Sequence, residues 1–193
     1  MRIIGGNKGG TRINIPKNLK FRPTTDRCKE ALFNILNNKF DITTIEVLDL
    51  FCGSGNISYE FASRGSKKIT SVDHNKKSLN FIRNFSKDQE FKITTIKSDV
   101  FKYLKRINSK FDIIFADPPY EFQDSQYISI INQIFKQNNL KSTGYLILEH
   151  SSKKNFNFHS NFYEYKKYGN SKFTFFKKLN NWLSVICLNI FKY

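Results

Sequence analysis

Residues 111–120 read Phe-Asp-Ile-Ile-Phe-Ala-Asp-Pro-Pro-Tyr. The mostly apolar residues 111–116 predict a buried strand, and Asp117-Pro118-Pro119-Tyr120 then marks its carboxyl end. Two consecutive prolines fix their φ angles, lack N–H donors and hold the preceding residue in an extended conformation. The motif is therefore a stiff corner with exposed carbonyl groups. The acid Asp117 precedes the two prolines, and the aromatic Tyr120 follows them.

This corner allows two interpretations. A planar amine placed here would donate hydrogen bonds to the Asp117 carboxylate and the Pro118 carbonyl while its ring lies against Tyr120. Alternatively, the residues form only a strand-ending turn, because Asp and Pro favour turns in general. The choice between them depends on the rest of the chain.

Short apolar runs alternate with helical or polar segments after residue 45. The runs cover residues 47–51, 69–72, 93–96, 111–116 and 145–148. Such alternation predicts an α/β fold with a doubly wound parallel sheet covered on both faces. Two further aromatic, alternating strands on either side of Gly169-Asn170 predict an antiparallel hairpin that completes the sheet.

The amino-terminal part of the chain is basic. Residues 2–15 predict a β-hairpin with a glycine-rich loop at residues 5–10, from which Arg2, Lys8 and Arg12 project. This hairpin is either an arm for a phosphate backbone or a solvated edge whose charge prevents aggregation. Thr24 or Thr25 then caps an amphipathic helix. The apolar side of that helix consists of Cys28, Ala31, Leu32, Ile35 and Leu36.

Charge points to a polyanionic partner. The chain has 193 residues, with 32 Lys and Arg against 16 Asp and Glu, and a formal net charge of +16. Its length suits one domain, and its charge makes nucleic acid the first candidate partner. A compositional bias towards Lys, Asn, Ile and Phe would also raise the charge, so we treat the charge as support only.

The cysteines and the hydropathy pattern limit the cellular context. Cys28, Cys52 and Cys187 lie far apart and form neither a disulfide framework nor a zinc pattern. No stretch approaches the roughly 18 apolar residues needed to cross a membrane, and no signal-peptide pattern opens the chain. We therefore expect a soluble cytoplasmic protein in a reducing compartment, with no bound metal.

A first ligand site is predicted at residues 49–55, Asp-Leu-Phe-Cys-Gly-Ser-Gly, which end a strand and open a helix. Ligands of open α/β sheets bind at such strand ends, and Gly53 and Gly55 permit a close backbone approach. The dinucleotide pattern G-x-G-x-x-G would need glycine at position 58, where Ser58 stands, which weakens a nicotinamide oxidoreductase. No Lys or Arg follows as in a P-loop, so a nucleoside without phosphates is favoured.

Acidic residues end the following strands. Asp73 lies where a carboxylate accepts hydrogen bonds from both hydroxyls of a ribose, Asp99 would reach an adenine amine, and Asp117 ends the fourth strand. Each acid alone is more often a helix cap or a solvated loop residue. Their recurrence at successive strand ends favours a ligand site.

Taken in order, these motifs resemble those of the Rossmann-like S-adenosylmethionine-dependent methyltransferases, with D-x-F-x-G-x-G at residues 49–55 and the amino-methylating D-P-P-Y at 117–120. More narrowly, residues 1–6 (Met-Arg-Ile-Ile-Gly-Gly), 22–27 (Arg-Pro-Thr-Thr-Asp-Arg) and 30–34 (Glu-Ala-Leu-Phe-Asn) resemble the RsmD family. Its members methylate the N2 amine of one guanine in small-subunit (16S) ribosomal RNA. The resemblance covers roughly residues 1–178.

The resemblance implies a Rossmann-like class I methyltransferase with a mostly parallel, seven-stranded, doubly wound sheet, a C-terminal antiparallel hairpin, and an N-terminal basic β-hairpin plus helix. We expect one domain over residues 1–193, comprising a hairpin arm (1–20), a catalytic core (21–178) and an extra tail of unknown role (179–193). The implied cofactor is S-adenosylmethionine. The implied partner is 16S ribosomal RNA or the small ribosomal subunit, and we expect a monomer that has no membrane partner.

The family also implies roles for individual residues. The flipped target base would be held by Asp117, Pro118, Pro119 and Tyr120. The cofactor would be bound by Asp49, Phe51, Gly53, Gly55, Asp73, Asp99 and Val100, with Asp73 at its ribose and Asp99 and Val100 at its adenine. RNA would be contacted by Arg2, Lys8, Arg12, Arg22, Thr25 and Arg27. Cys52 would only fill space.

Two alternatives remain open from the sequence. One is a DNA or RNA amino-methyltransferase acting on adenine N6 or cytosine N4, although residues 120–145 are too short for a DNA target-recognition insertion. The other is a nonenzymatic RNA-binding ribosome assembly factor, which the charge alone would favour. Neither Asp117 nor Tyr120 distinguishes guanine from adenine.

Overall fold

The computed structural model describes residues 1–16, 19 and 24–179. The helices are α1 (Asp26–Asn37), α2 (Asn56–Ser63), α3 (Lys76–Asp88), α4 (Val100–Arg106) and α5 (Asp124–Lys136). The strands are β1 (Glu46–Leu50), β2 (Lys68–Asp73), β3 (Ile93–Lys97), β4 (Phe111–Ala116), β5 (Leu140–Ser151), β6 (Phe162–Tyr168) and β7 (Ser171–Lys177). Within these described ranges, none of the helices has the length and hydrophobicity needed to span a bilayer.

The seven strands form one sheet in the order β3-β2-β1-β4-β5-β7-β6. Strands β1 to β5 are parallel, whereas β7 is antiparallel to β5 and β6 is antiparallel to β7. This confirms the predicted mostly parallel sheet and its closing hairpin. Strand β5 is longer than the predicted run, because it begins at Leu140, before a register shift against β4. Gly144 permits this pairing, since a Cβ atom there would lie 2.8 Å from the Phe111 carbonyl oxygen.

Helices cover both faces of the sheet. On one face, Ile131 of α5 belongs to the same apolar core as Leu148 of β5. On the other face, Leu32 of α1 and Phe61 of α2 share a core with Ile147, the neighbour of Leu148 in the same strand. The sheet is therefore doubly wound, as predicted. Because β1 lies between β2 and β4, the connections diverge there and a crevice opens where β1 and β4 end.

The amino-terminal hairpin is smaller than predicted. It contains one antiparallel bridge, between Arg2 and Arg12, and Ile3 and Ile13 are buried beneath it. The hairpin remains short because its loop bonds to α2. The N–H of Ile4 donates to Glu60 Oε1 at 2.7 Å, and the N–H of residue 7 donates to the carbonyl of residue 63 at 2.8 Å.

Helix α1 begins as predicted, with Thr25 as its N-cap. Of its predicted apolar side, Ala31 and Ile35 are only half-buried, and the other three residues are buried. Phe33 is fully buried and packs edge-on against Phe61, with 4.7 Å between ring centroids. The buried side of the helix is thus rotated from the prediction, because these two rings fill the space between α1 and α2.

Candidate active site

The carboxyl ends of β1, β2 and β4 border a cavity of about 460 Å³, a volume within the range of small-molecule sites. Eight of the predicted site residues line it, drawn from both the glycine-rich turn and the D-P-P-Y corner. They are Asp49, Phe51, Gly53, Asp73, Asp117, Pro118, Pro119 and Tyr120. The structure therefore brings the two predicted motifs to one site.

The turn after β1 has an unusual backbone. Phe51, Gly53 and Gly55 have φ angles of 59°, 50° and 81°, all in the left-handed region. Gly55 is the N-cap of α2, and a Cβ atom there would lie 2.8 Å from both Tyr59 Cζ and Ile82 Cγ1. Gly55 does not line the cavity itself. Its role in the fold is to let α2 start close to α3.

Asp73 is held in one orientation at the end of β2. Its Oδ2 accepts the N–H of Gly53 at 2.9 Å, and its Oδ1 accepts the N–H of Asn75 at 2.8 Å. The side chain is buried apart from its face towards the cavity. Each carboxylate oxygen has a second lone pair, so the group can still accept hydrogen bonds from a ligand.

Asp49 is almost completely buried at the end of β1. Ser58 Oγ lies 2.5 Å from Asp49 Oδ2 and 2.7 Å from Ser71 Oγ, so Ser58 joins β1 and β2. Burial raises the pKa of Asp49 to about 7, and the nearby Asp73 charge adds to this, against the hydrogen bonds from Ser58. In the sequence, Ser58 stood out only as a missing glycine. The structure gives it a position under a predicted cofactor residue.

The D-P-P-Y corner follows β4 directly. The N–H of Asp117 lies 3.4 Å from the Leu50 carbonyl oxygen, which ties the corner to the end of β1. The Pro119 carbonyl accepts the N–H of Phe122 at 3.0 Å and the hydroxyl of Tyr127 at 3.3 Å. Because two donors occupy the Pro119 carbonyl, the geometry favours the Pro118 carbonyl as the acceptor for a ligand amine.

Besides Gly55, two further predicted cofactor residues do not line the cavity. Asp99 is exposed and caps α4, since its Oδ1 accepts the N–H of Lys102 at 2.9 Å. Val100, the first residue of α4, is buried in the core. For Asp99 the structure thus shows the helix-cap arrangement that was the alternative for a lone acid. Their contact with an adenine stays a prediction.

The predicted RNA-binding residues lie on the hairpin and at the start of α1. Arg2, Arg12 and Arg27 are all exposed, and Arg2 Nε pairs with Asp26 at 2.8 Å. Lys8 is half-buried, Thr25 caps α1, and Arg22 lies outside the described residues, as do residues 180–193 of the predicted tail. The preceding Thr24 lines the cavity, so this basic segment adjoins its edge.

A buried polar network behind the cavity was not predicted. Thr24 Oγ1 donates to Glu149 Oε2 at 2.8 Å, and the Thr24 carbonyl accepts Asn56 Nδ2 at 3.3 Å. Lys29 Nζ donates to Asn56 Oδ1 at 3.0 Å and pairs with Glu60 at 3.1 Å, with both charged side chains fully buried. The available signal was the position of Lys29, a charged residue that lies three and four residues before Leu32 and Phe33 and so on the same side of helix α1.

Glu149 also lies next to the D-P-P-Y corner. It follows Leu148, which is paired with Ala116 across β4 and β5, so Glu149 and Asp117 occupy the next positions along the two strands. A buried carboxyl group is costly unless hydrogen bonds stabilise it. The Thr24 hydroxyl supplies one, which fixes the start of α1 against the sheet.

Cys52 agrees with its predicted role as filler. It is buried, and burial raises the pKa of its thiol, with the Asp49 and Asp73 charges adding to the effect. The thiol is therefore neutral at ordinary pH, whereas a nucleophilic cysteine needs a lowered pKa.

Comparisons with known proteins agree with this arrangement. The sequence model of a family described as Conserved hypothetical protein 95 matches residues 1–177. Ribosomal RNA small subunit methyltransferase D of Buchnera aphidicola subsp. Baizongia pistaciae is 32% identical over 150 residues, which span 77% of this chain and 75% of that protein.

Solved structures have the same fold. The structure of yhhF from Escherichia coli is 25% identical with a TM-score of 0.78, over 92% of this chain and 97% of that chain. SMU.776, solved in complex with SAH, is 21% identical with a TM-score of 0.63, over 78% of this chain and 49% of that chain. At that identity, the second comparison shows a common fold.

Proposed function

The chain belongs to the RsmD family of ribosomal RNA methyltransferases, and from that premise we propose that it transfers a methyl group from S-adenosylmethionine to the exocyclic N2 amine of a guanine in 16S ribosomal RNA. One observation carries the proposal. The glycine-rich turn, the acids Asp49 and Asp73, and the Asp117-Pro118-Pro119-Tyr120 corner line the same cavity. A nucleoside-type ligand and a planar amine can therefore meet there.

The residues present fit S-adenosylmethionine, which when bound supplies an electrophilic methyl group. Asp73 lies at the end of β2 with both oxygens oriented by backbone N–H groups, as an acceptor for ribose hydroxyls requires. Asp49 and Gly53 also line the cavity, and we assign them to the methionine end of the cofactor. Phe51 supplies an apolar surface, and we assign Gly55, Asp99 and Val100 to the cofactor only through the family.

The chain's own contribution to the reaction is to hold and orient the amine. The guanine N2 amine is a poor nucleophile because its lone pair is delocalised into the ring. Hydrogen bonds from this amine to Asp117 and to the Pro118 carbonyl favour a pyramidal nitrogen and direct its lone pair into the cavity. Asp117 also stabilises the positive charge that develops on nitrogen and accepts the proton that the nitrogen loses.

The base must leave its stack to reach this corner. Tyr120 is 38% exposed at the cavity edge and can replace the lost stacking, an interaction worth about 1–3 kcal/mol. The fixed φ angles of Pro118 and Pro119 limit the backbone rotation between Asp117 and Tyr120. We assign the basic residues of the hairpin and of the α1 start to the RNA backbone, where they position the substrate without reading its sequence. The basic residues are Arg2, Lys8, Arg12, Arg22 and Arg27, and we assign the neutral Thr25 to the same surface.

A transfer assay tests the base assignment. Purified protein is incubated with labelled S-adenosylmethionine and with small ribosomal subunits, or their RNA, from cells that lack the protein. We expect the label on guanine N2, identified by nucleoside mass spectrometry. A label on adenine N6 or cytosine N4 instead would contradict the guanine assignment and support a general amino-methyltransferase.

Asp117→Ala tests the role of the corner. We expect the rate of transfer to fall by about 10²–10³-fold or more, because an oriented acceptor at the reacting atom is lost, while affinity for S-adenosylmethionine stays within a few-fold. Glu121→Ala is the matched control, since Glu121 also lines the cavity but has no assigned role. An active Asp117→Ala enzyme would refute the role, and a wild-type protein that binds no S-adenosylmethionine would favour the assembly-factor alternative.

A further inference from the structure

Strand β6 forms an edge of the sheet and carries exposed aromatic and basic side chains. Its sequence is Phe-Tyr-Glu-Tyr-Lys-Lys-Tyr, and among the described strands it pairs only with β7. Tyr163 and Tyr165 are 38% and 48% exposed, and Lys167 is also exposed. Residues 162–178 contain five lysines and one glutamate. This strand is therefore a basic surface with accessible rings.

The two exposed tyrosines lie on opposite faces of the sheet. Tyr165 is paired with Thr174 and Lys167 with Lys172, so these side chains share the face covered by α4 and α5. Tyr163 follows a register shift and lies instead on the α1 face, 5.5 Å from the Tyr145 ring. Each face of the strand thus carries its own tyrosine.

The Tyr165 ring is held in place by a lysine that is itself fixed. Lys172 Nζ lies 4.9 Å from the ring centroid and donates to the Lys154 carbonyl at 2.9 Å. Lys172 is nearly buried. A ring that is already ordered loses little conformational entropy when another flat group stacks on it.

The tip of the β6–β7 hairpin reaches the catalytic corner. Ser171 Oγ lies 3.4 Å from the Tyr120 hydroxyl, and the N–H of Ser152 donates to the Asn170 carbonyl at 2.8 Å. Tyr165 is paired with Thr174, three residues along β7 from Ser171, a backbone distance of about 10 Å, and by strand alternation the Ser171 side chain lies on the opposite face at the tip. Lys153, exposed beside the same tip, adds positive charge.

We propose that this face of the hairpin binds the unpaired RNA strand on one side of the methylated nucleotide. Tyr165 stacks on a base that neighbours the flipped guanine, and Lys153 and Lys167 contact its phosphates. The inference rests on the proposed function, because it takes RNA as the substrate. Because Ser171 at the hairpin tip contacts the Tyr120 hydroxyl and lies three residues along β7 from the partner of Tyr165, an RNA strand that crosses the tip can reach both rings.

The ordinary explanation of such an edge is that its lysines prevent edge-to-edge aggregation. That explanation accounts for Lys166 and Lys167. It does not account for a half-exposed aromatic ring fixed by Lys172 near the site of chemistry, because an exposed ring favours aggregation. A ring beside exposed lysines is the usual arrangement for binding single-stranded nucleic acid without sequence reading.

RNA affinity of two matched variants tests the proposal. The ligand is unmodified small-subunit RNA from cells lacking the protein, and binding is measured with full-length protein at fixed salt. Tyr165→Ala should raise Kd by about 5- to 100-fold, the range measured for loss of one stacked base. Tyr165→Phe, which keeps the ring, should bind RNA with wild-type affinity. Tyr163→Ala should change Kd less than about twofold, although Lys177 lies over Tyr163 in the same manner, at 3.9 Å.

Two further readouts separate this proposal from its premise. S-adenosylmethionine affinity and the thermal midpoint of Tyr165→Ala should match the wild type, which excludes misfolding. The proposed binding surface would be wrong, even if guanine N2 is methylated, in either of two cases. In one, Tyr165→Ala binds RNA as tightly as the wild type; in the other, Tyr163→Ala loses as much RNA affinity as Tyr165→Ala. Conversely, selective loss in Tyr165→Ala would support the surface even if the wild type methylates another base.

Discussion

Asp49 is a buried carboxyl group whose ionisation opposes folding at neutral pH. Burial raises its pKa from an ordinary value of 3.8 to about 7. Between those values the folded chain holds a proton that the unfolded chain has lost, so this contribution to stability falls as pH rises towards 7 and stays low above it.

Asp49→Asn removes this titration. We expect the stability of the variant relative to wild type to increase from about pH 4 to about pH 7 and then level off, by at most a few kcal/mol. Urea denaturation of both proteins at several pH values measures the difference. A difference that does not change with pH would contradict the assignment of the raised pKa to Asp49.

Thr24 also acts at the scale of one residue, through its hydrogen bond to the buried Glu149. Thr24→Val keeps the shape of the side chain and removes the donor, so we expect the free energy of unfolding to fall by about 1–3 kcal/mol. Thr24→Ser, which retains the hydroxyl, should lose much less. Equal destabilisation by valine and serine would mean that the methyl group, and not the hydrogen bond, matters at this position.

Helix α2 depends on how closely its first turn approaches α3. Gly55→Ala places a Cβ atom 2.8 Å from Tyr59 and Ile82 at a φ of 81°. Gly169→Ala is the control, because Gly169 has a φ of 58° and open space around it. Both variants carry backbone strain of about 1 kcal/mol or more.

We expect Gly55→Ala to lose more stability than Gly169→Ala, and to lose S-adenosylmethionine affinity as well. Thermal unfolding and cofactor titration measure the two effects. If both glycine variants lose the same stability, backbone strain alone explains the destabilisation. The close contact of the added Cβ with Tyr59 and Ile82 then has no separate cost.

At the level of elements, local patterns predicted much of what the structure contains. Short continuous apolar runs and, in the hairpin, alternating aromatic residues predicted all seven strands, because each pattern lies within one element. The buried pairs Lys29–Glu60 and Thr24–Glu149 were not predictable in this way, since their members are separated by 31 and 125 residues. Asp99 shows a different limit of prediction. A local sequence pattern was compatible both with a ligand contact and with the helix cap that Asp99 forms, and could not decide between them.

At the scale of the whole molecule, the question is how the charge of +16 is used. The proposed RNA surface lies at the carboxyl ends of the strands and on the amino-terminal hairpin. Lysines also occur at the opposite edge, where Lys67, Lys68 and Lys92 line a second cavity at the amino ends of the strands. We expect the basic residues of the proposed RNA surface to contribute to RNA binding, and Lys67, Lys68 and Lys92 not to contribute.

Salt dependence separates the two groups. Arg12→Gln should reduce the slope of log affinity against log salt by about one, as expected for loss of one phosphate contact. Lys92→Gln, the control at the opposite edge, should leave the slope unchanged. Equal effects of both substitutions would indicate that the charge attracts RNA without a defined surface.

The amino-terminal hairpin also has a consequence for how the protein forms during synthesis. The N–H of Ile4 is satisfied by Glu60, 56 residues later in the chain, and Lys29 Nζ binds both Glu60 and the carbonyl of Arg2. A growing chain therefore cannot dock its first residues until α2 has left the ribosome's exit tunnel. The arm that we assign to ribosomal RNA therefore stays undocked during early translation, and it becomes ordered only when α2, which forms one wall of the cavity, is complete.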